Sequence, residues 1–528
     1  MKTPPGISEA DFAAAIDQFK SAVGAQWVFT SDEDVATYRD AYSPLYGESA
    51  EKVASAAVAP ETVEQIQQIV RVANRYKIPL YTISTGRNLA YGGSAPVYSG
   101  SVVLDLKRMN KVLDVNEDEA YALVEPGVSY FDLYRHIRER GLKLWIDCPD
   151  PGWGSPVGNA LDHGAGRTPL PYRDHFGSHC GMEVVLANGE VVRTGMGALP
   201  KAETWQHFQY CAGPTPDAIF AQSNFGIVTK MGFWLMPEPE ASMTGRITVP
   251  HHDDVIPFVR TLGRLAFQGV VNCVFSIQSP VFGGPLDADK SALLDRPGGG
   301  TAEEWDRYAA SKGRGHFWQT DLRFYGPEKV IAAQWEYVKQ QMAAIEGAKS
   351  TDGEVTRFPL TDDQIERLAD PGAFGIPSLN VFSSVQGTAG HLDASPMLPY
   401  SGDALLEAHK VFMKLFRDAG LPLTLGFAMS YHWRSFIMFQ GINLSHDPAE
   451  NAKARSLYEQ VIKVASDHGW GIYRAHAAFM DTVMEQYSYN DHALMRLNET
   501  LKDALDPNGI LSAGRYGIWP KHLRGSRA

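Results

Sequence analysis

The chain has 528 residues, more than one hydrophobic core normally serves, and with 44% hydrophobic and 11% aromatic content it is expected to fold as two globular domains. Its 48 Lys and Arg against 61 Asp and Glu give a net charge of −13, which excludes a phosphate-tracking nucleic-acid surface, so any anion site must be local. Cys148, Cys180, Cys211 and Cys273 are widely spaced without a CxxC pair or a metal-ligand cluster, and are expected to be buried free thiols in a reducing cytoplasm. The N-terminus lacks an apolar run after Pro5, no stretch approaches membrane-spanning length, and the expectation is a cytoplasmic protein without metal.

In chain order, residues 8–19 and 32–38 have helical spacing, and residues 53–58 read as a first short strand closed by Pro60. From Thr62, the apolar positions Val63, Ile66, Ile69, Val70 and Ala73 recur at helical spacing before Pro79. Residues 80–84 then form a strand, completing a β-α-β unit. That strand runs into Ser84-Thr85-Gly86-Arg87-Asn88-Leu89-Ala90-Tyr91-Gly92-Gly93, a loop of small residues whose backbone N–H groups are free to converge on a diphosphate. The loop alone suits an ordinary glycine turn better than a diphosphate cradle.

Residues 101–106 and 121–124 are further strands, and 131–138 an amphipathic helix. The stretch 147–159 is too rich in Pro and Gly for regular structure, and Pro151 and Pro156 speak against a Rossmann strand-to-helix entry. Residues 183–186 and 191–194 make a hairpin around Asn188-Gly189, and a small-residue turn at 222–226 enters a β-branched strand. After Pro237 a Gly-rich loop over 281–300 gives way to long helical patterns at 329–345, 404–419, 454–468 and 491–504.

The order of STGxNxxYGG, PDxGWGSxVGN, GMEVVLxNGE, RTGMGALP, QSNxGIVTKMG and a terminal DPNGIxxxGxxGIWP closely resembles the vanillyl-alcohol oxidase and p-cresol methylhydroxylase flavoproteins, most of all the eugenol-oxidase-like members. The resemblance spans nearly the whole chain. It implies an α+β fold: a PCMH-type FAD-binding domain over 1–237, completed by the C-terminal segment 500–528, and an α+β cap over 238–499 that covers the flavin.

The resemblance also assigns roles. Ser84, Thr85, Gly86, Arg87, Asn88, Gly92, Gly93, Gly154, Ser155, Gly158, Asn159, Gly226, Ile227 and Val228 fall in the FAD envelope, and Arg515 stands where a Lys is usual. His391 matches the histidine linked covalently to the flavin 8α-methyl group; without the resemblance, a lone histidine is more often a surface or core side chain. Tyr91, Tyr473 and Arg474 match a trio that binds a phenol oxygen as phenolate, whereas on sequence alone Tyr473 and Arg474 also read as a packed aromatic and its surface neighbour. Asp150, stiffened between Pro149 and Pro151, matches a carboxylate beside flavin N5.

Arg167, Trp153 and Phe427 fall in the substrate pocket, with two departures: Arg167 replaces a tyrosine, and residues 427–432 replace a more polar segment. The function implied is an FAD-dependent oxidase of para-substituted phenols, of guaiacyl or syringyl type, working by hydride transfer from the benzylic carbon to flavin N5 through a p-quinone methide. O2 would reoxidise the flavin to give H2O2. The alternative is a p-cresol-type dehydrogenase subunit passing electrons to a cytochrome; His391 and the absence of a CxxCH motif favour the oxidase. A homodimer or larger assembly is the family expectation.

Overall fold

The computed structural model describes residues 3–149, 151–284, 286–385, 387–422 and 427–525. The β-α-β unit read from periodicity is present. Strands β1 (Val28–Phe29), β2 (Ala56–Val58), β3 (Leu80–Ile83) and β4 (Val102–Asp105) form one sheet in the order β1-β2-β4-β3. Both β2 and β3 run parallel to β4, with Leu80 beside Val102 and Ile83 beside Asp105. The helix Val63–Tyr76 starts because the Thr62 hydroxyl accepts from the Gln65 amide, and it stops at Lys77, which turns left-handed at φ 56°. Its face of Ile66, Ile69, Val70 and Ala73 is fully buried, which fixes the helix and hence the point where β3 ends and the glycine loop begins.

The far end of the chain returns to this strand. The Leu80 amide donates to the Ile510 carbonyl and the Ser512 amide to that of Leu80, both at 2.7 Å. Lys502, fully buried, donates to the carbonyls of Asn224 (2.9 Å) and Leu511 (2.7 Å) and to Asp506 (2.7 Å), tying this return to the 222–226 turn.

A second sheet is antiparallel, from β5 (Val112–Asn116), β6 (Tyr121–Val124), β7 (His179–Leu186), β8 (Val191–Arg193) and β9 (Gly226–Trp234), in the order β5-β6-β9-β7-β8. Beyond it lies a three-stranded antiparallel sheet with β10 (Ala241–Val249) between β11 (Trp318–Gly326) and β12 (Lys349–Arg357). The helix Glu328–Met342 covers β10 by way of Trp335, whose ring lies where a Cβ on Gly245 would be, 2.5 Å away. Next come β13 (Gly390–Ala394), β14 (Ala428–His432), β15 (Ser435–Met438) and β16 (Gln440–Leu444). β13 pairs with β16 so that His391 faces Asn443 and Asp393 faces Gly441.

Several expectations are corrected. Pro156 does not bar a helix: Pro156–Leu161 is one, with Pro156 in its first turn, where a missing N–H costs nothing, and the Ser155 hydroxyl capping the Gly158 amide. The supposed loop over 281–300 contains the helix Ala288–Leu294, capped by Asp287. Strands β10 to β12 were not read at all, and in the helix Tyr489–Leu505 the residues Asn490, Asp491 and His492 take positive φ. Of the four cysteines, Cys211 is half-buried rather than buried. No helix among the described residues is long and apolar enough to cross a membrane, and no group of His, Cys, Asp or Glu there is placed to hold a metal ion.

Candidate functional site

One cavity of about 740 Å³ opens at the C-terminal end of β3 and reaches the β13–β16 pair and the loop following Ile472. Its first wall is the glycine loop. Gly86 takes φ +68°, and a Cβ there would overlap the Ser94 hydroxyl at 2.0 Å. The amides of Thr85, Gly86, Arg87 and Asn88 donate to no group of the chain among the described residues, so a row of N–H donors faces the cavity. The helix Pro156–Leu161 packs against this loop so closely that a Cβ on Gly158 would lie 2.3 Å from the Ser84 hydroxyl.

Most predicted envelope residues line this cavity: Ser84 to Asn88, Gly93, Gly154, Ser155, Gly158, Asn159, Gly226, Val228, His391 and Arg515. Two do not. Gly92 packs against Ala477, and the Ile227 side chain, 1% exposed, points into the hydrophobic core.

Towards the end of the loop Tyr91 meets Tyr473 and Arg474, brought together across about 380 residues of sequence because the Ala477 amide bonds to the Tyr91 carbonyl. The Arg474 guanidinium lies 4.0 Å from the centre of the Tyr91 ring, a cation–π contact in a buried site. Burial pushes the Tyr91 phenol well above its usual pKa, and Asp393 and Tyr473 push it further than Arg474 pulls it down. Burial likewise raises Tyr473, against a lowering by Arg474. Both phenols therefore hold their protons at neutral pH and are hydrogen-bond donors. Burial alone would lower the Arg474 pKa, but Asp162 and the two tyrosines raise it overall, so the cation is fixed. Its Nε is buried with no partner among the described residues, a donor left for a bound acceptor.

Sequence reasoning missed the group that holds Arg474. Arg474 Nη2 donates to Asn88 Oδ1, Asn88 Nδ2 donates to Asp162 Oδ2 at 2.6 Å, and Arg515 Nη2 donates to Asp162 Oδ1. Asp162 is 5% exposed and lies just past the helix Pro156–Leu161, three residues beyond Asn159. Burial works to raise its pKa, but Arg515 and Arg474 bring it below the usual carboxylate range. Its sequence signal was only this helical spacing.

His391 and Asp393 share one face of β13 and both line the cavity. His391 Nε2 is 3.6 Å from Asp393 Oδ2, while its Nδ1 is buried without a partner among the described residues. Burial lowers the His391 pKa, yet Asp393 raises it overall. Alternation along a strand was the available signal for Asp393.

Of the pocket residues, Arg167 and Phe427 line the cavity, and Arg167 Nη1 pairs with Asp370 at 3.2 Å. Trp153 does not line it: its ring packs on Phe382 (4.7 Å between centroids) with Arg87 above it at 4.9 Å. Asp150 lies outside the described residues. The row of free amides, the close glycine approaches and an unpartnered buried His nitrogen fit FAD, which needs diphosphate donors and backbone contact with its ring.

Comparison with known proteins agrees. Residues 54–195 match the FAD binding domain and residues 399–516 the C-terminal domain of FAD linked oxidases. The chain is 32% identical, over 98% of its length and 97% of the relative's, to the 4-cresol dehydrogenase [hydroxylating] flavoprotein subunit of Pseudomonas putida. It superposes on 4-ethylphenol oxidase from Gulosibacter chungangensis, solved as an isoeugenol complex, with a TM-score of 0.84 and 36% identity, covering 99% of this chain and 100% of that one. On p-cresol methylhydroxylase with substrate bound, the TM-score is 0.83 at 30% identity, covering 98% and 99%. A shared fold and identity sustained over nearly the full length place this chain in the vanillyl-alcohol oxidase/p-cresol methylhydroxylase family of FAD-dependent oxidoreductases.

Proposed function

We propose that the protein is an FAD-dependent oxidase of para-substituted phenols, 4-alkylphenols and 4-hydroxybenzyl alcohols of lignin-derived type. The observation that carries this reading is the buried trio: two protonated phenols and a fixed guanidinium with a free Nε, on the same cavity as the amide cradle and His391. Such a set binds a phenol oxygen better as phenolate than as phenol, because each donor strengthens as charge develops on the acceptor. FAD, when bound, supplies the hydride acceptor for the benzylic carbon, leaving a p-quinone methide, and passes the electrons to O2 as H2O2.

The chain's own groups do the rest in this proposal. Thr85 to Asn88 hold the diphosphate, and His391 carries the covalent link through its unpartnered Nδ1, with Asp393 holding a proton on Nε2. Tyr91, Tyr473 and Arg474 orient the phenolate. Asp150 serves as the base that activates water or removes a side-chain proton. Phe427, Met429, Tyr431 and Phe439 give the substrate end an apolar lining, and the Arg167–Asp370 pair adds a polar edge suited to ring methoxyl groups.

The proposed division is a flavin domain of residues 1–237 completed by 500–528, with a cap over 238–499; the hydrogen bonds of Leu80 with Ile510 and Ser512 support it. A peroxide-coupled screen of 4-alkylphenols, 4-hydroxybenzyl alcohols and their methoxylated forms tests the proposal, and peroxide formation with at least one class is expected. The second reading, a dehydrogenase serving a cytochrome, is favoured by the name of the Pseudomonas putida relative. It would show as substrate-dependent reduction of an artificial acceptor without peroxide.

A further inference from the structure

One carboxylate serves two guanidiniums at the heart of the cavity. Asp162 Oδ1 takes Arg515, while Oδ2 takes the Asn88 amide that in turn holds Arg474, whose Nη2 is itself 3.8 Å from Oδ2. The two oxygens are thus divided between the side of the cavity that carries Tyr91 and Tyr473 and the side that carries the C-terminal segment. The other titratable groups facing the cluster are Tyr81, which accepts from Arg515 Nη1 at 3.3 Å, Tyr516, Tyr473, Tyr91 and His163, and, beyond Tyr91 and Tyr473, the Asp393 carboxylate, which stands 3.6 Å from His391 Nε2. The four tyrosines hold their protons, raised mainly by burial, and the His163 pKa is lowered by burial, so none adds charge at neutral pH. Within the cluster of Arg474, Arg515 and Asp162, two cations against one anion leave a single positive charge, with Asp393 set against His391.

We propose that Asp162 is a positioning residue and shared counter-ion: through Asn88 it aims Arg474 at the phenol oxygen, and by neutralising one of the two guanidiniums it matches the site to a singly charged phenolate. The proposal rests on the reading of Tyr91, Tyr473 and Arg474 as the phenol-oxygen site. A more positive site would ionise the phenol at lower pH but also hold the anion through turnover; a neutral one would bind it as the phenol. Asp162 sets the balance between these without touching the substrate.

The test is the ionisation of a bound, unreactive phenol. 4-Bromophenol has no benzylic hydrogen, so its phenolate band can be followed in difference spectra of the holoenzyme as a function of pH. In Asp162→Asn, which keeps the size and one acceptor but leaves two uncompensated guanidiniums, the pKa of the bound phenol is expected to fall by about one unit, tenfold in the phenolate-to-phenol ratio. Asp162→Glu, which restores the charge, is expected to return it to the wild-type value. An unchanged or raised pKa in Asp162→Asn, or a Glu variant that behaves like the Asn variant, would overturn the proposal.

Should Asp162→Asn not fold, Arg515→Gln carries the test: it leaves the carboxylate to Arg474 alone, and the bound-phenol pKa is expected to rise by about a unit. No change there would overturn the proposal equally. Arg474→Ala in the same assay separates the two claims: if it binds 4-bromophenolate as the wild type does, the phenol-site reading itself falls, whatever Asp162 does.

Discussion

Replacing Lys502 by Met tests how the C-terminal return holds the cavity together. The Lys502 and Asp506 side chains are both 0% exposed, and the ammonium makes three contacts, to Asn224 O, Leu511 O and Asp506 Oδ2. Breaking one partner out of a buried pair typically costs about 3–5 kcal/mol, because the other charge is left unpaired. Asp506 keeps two backbone donors, Ile510 N at 3.0 Å and Leu511 N at 2.9 Å, which offsets part of that penalty. Two carbonyls lose their donor, at about 1 kcal/mol or more each. The balance is a loss of about 3–4 kcal/mol.

Asn224 lies between Ser223 and Gly226, which line the cavity, and Ser512 follows Leu511 directly with Arg515 three residues further on, so flavin retention falls together with stability. Urea unfolding followed by tryptophan fluorescence, with flavin release read in parallel, measures both. The double variant Lys502→Met/Asp506→Asn recovers part of the loss, since no buried charge is then left alone. A single-variant loss under about 1 kcal/mol with unchanged flavin retention would refute the reasoning, because that is within the range of an ordinary surface change.

Arg474→Ala and Tyr473→Phe weaken phenol binding unequally: loss of a buried charge–phenolate contact costs at least about 3 kcal/mol, roughly a hundredfold in Kd, and loss of one neutral hydrogen bond about 1 kcal/mol. Equilibrium titration of the oxidised enzyme distinguishes them, and equal effects would argue against the guanidinium as the dominant contact. Acid-precipitated, washed wild-type protein stays yellow, and His391→Ala gives a colourless pellet; a colourless wild-type pellet would remove the covalent link. Asp174, which burial alone would raise, is instead held to a pKa of about 2 by His432, 3.7 Å away, and by the Gly177 amide, and contributes stability above the ordinary carboxylate range that is lost as pH falls towards 2. Asp174→Asn is therefore less stable than wild type at pH 5 and converges with it at the acid end, which urea midpoints against pH will show.

Much of the first half was legible because its elements carry strong local signals. Thr62 caps a helix with a clean apolar face, and Asn188-Gly189 turns the hairpin of β7 and β8. Pro156 misled because proline marks a helix start as readily as a break, and only the Ser155 cap beside it tells which. Strand β12 was invisible for a different reason: Lys349 to Val355 are all exposed, so no burial alternates along it, and pairing with β10 is what makes it a strand.

The site followed the same division. Gly86, Tyr91 and His391 sit in motifs that a family resemblance carries, but Asp162 acts through partners distant in sequence. Arg474 and Arg515 meet Asp162 across more than 300 residues, and no local pattern announces such a contact.

The most direct test of the account is anaerobic mixing of the holoenzyme with a 4-alkylphenol in a stopped-flow spectrometer, with Arg474→Ala and Asp150→Ala alongside. The wild-type flavin is expected to bleach in a single turnover, and O2 then to restore its colour with release of peroxide. Both variants are expected to slow the bleaching by about a hundredfold or more. A flavin that stays oxidised with every para-alkylphenol offered, while a 2-hydroxy acid reduces it, would contradict the account.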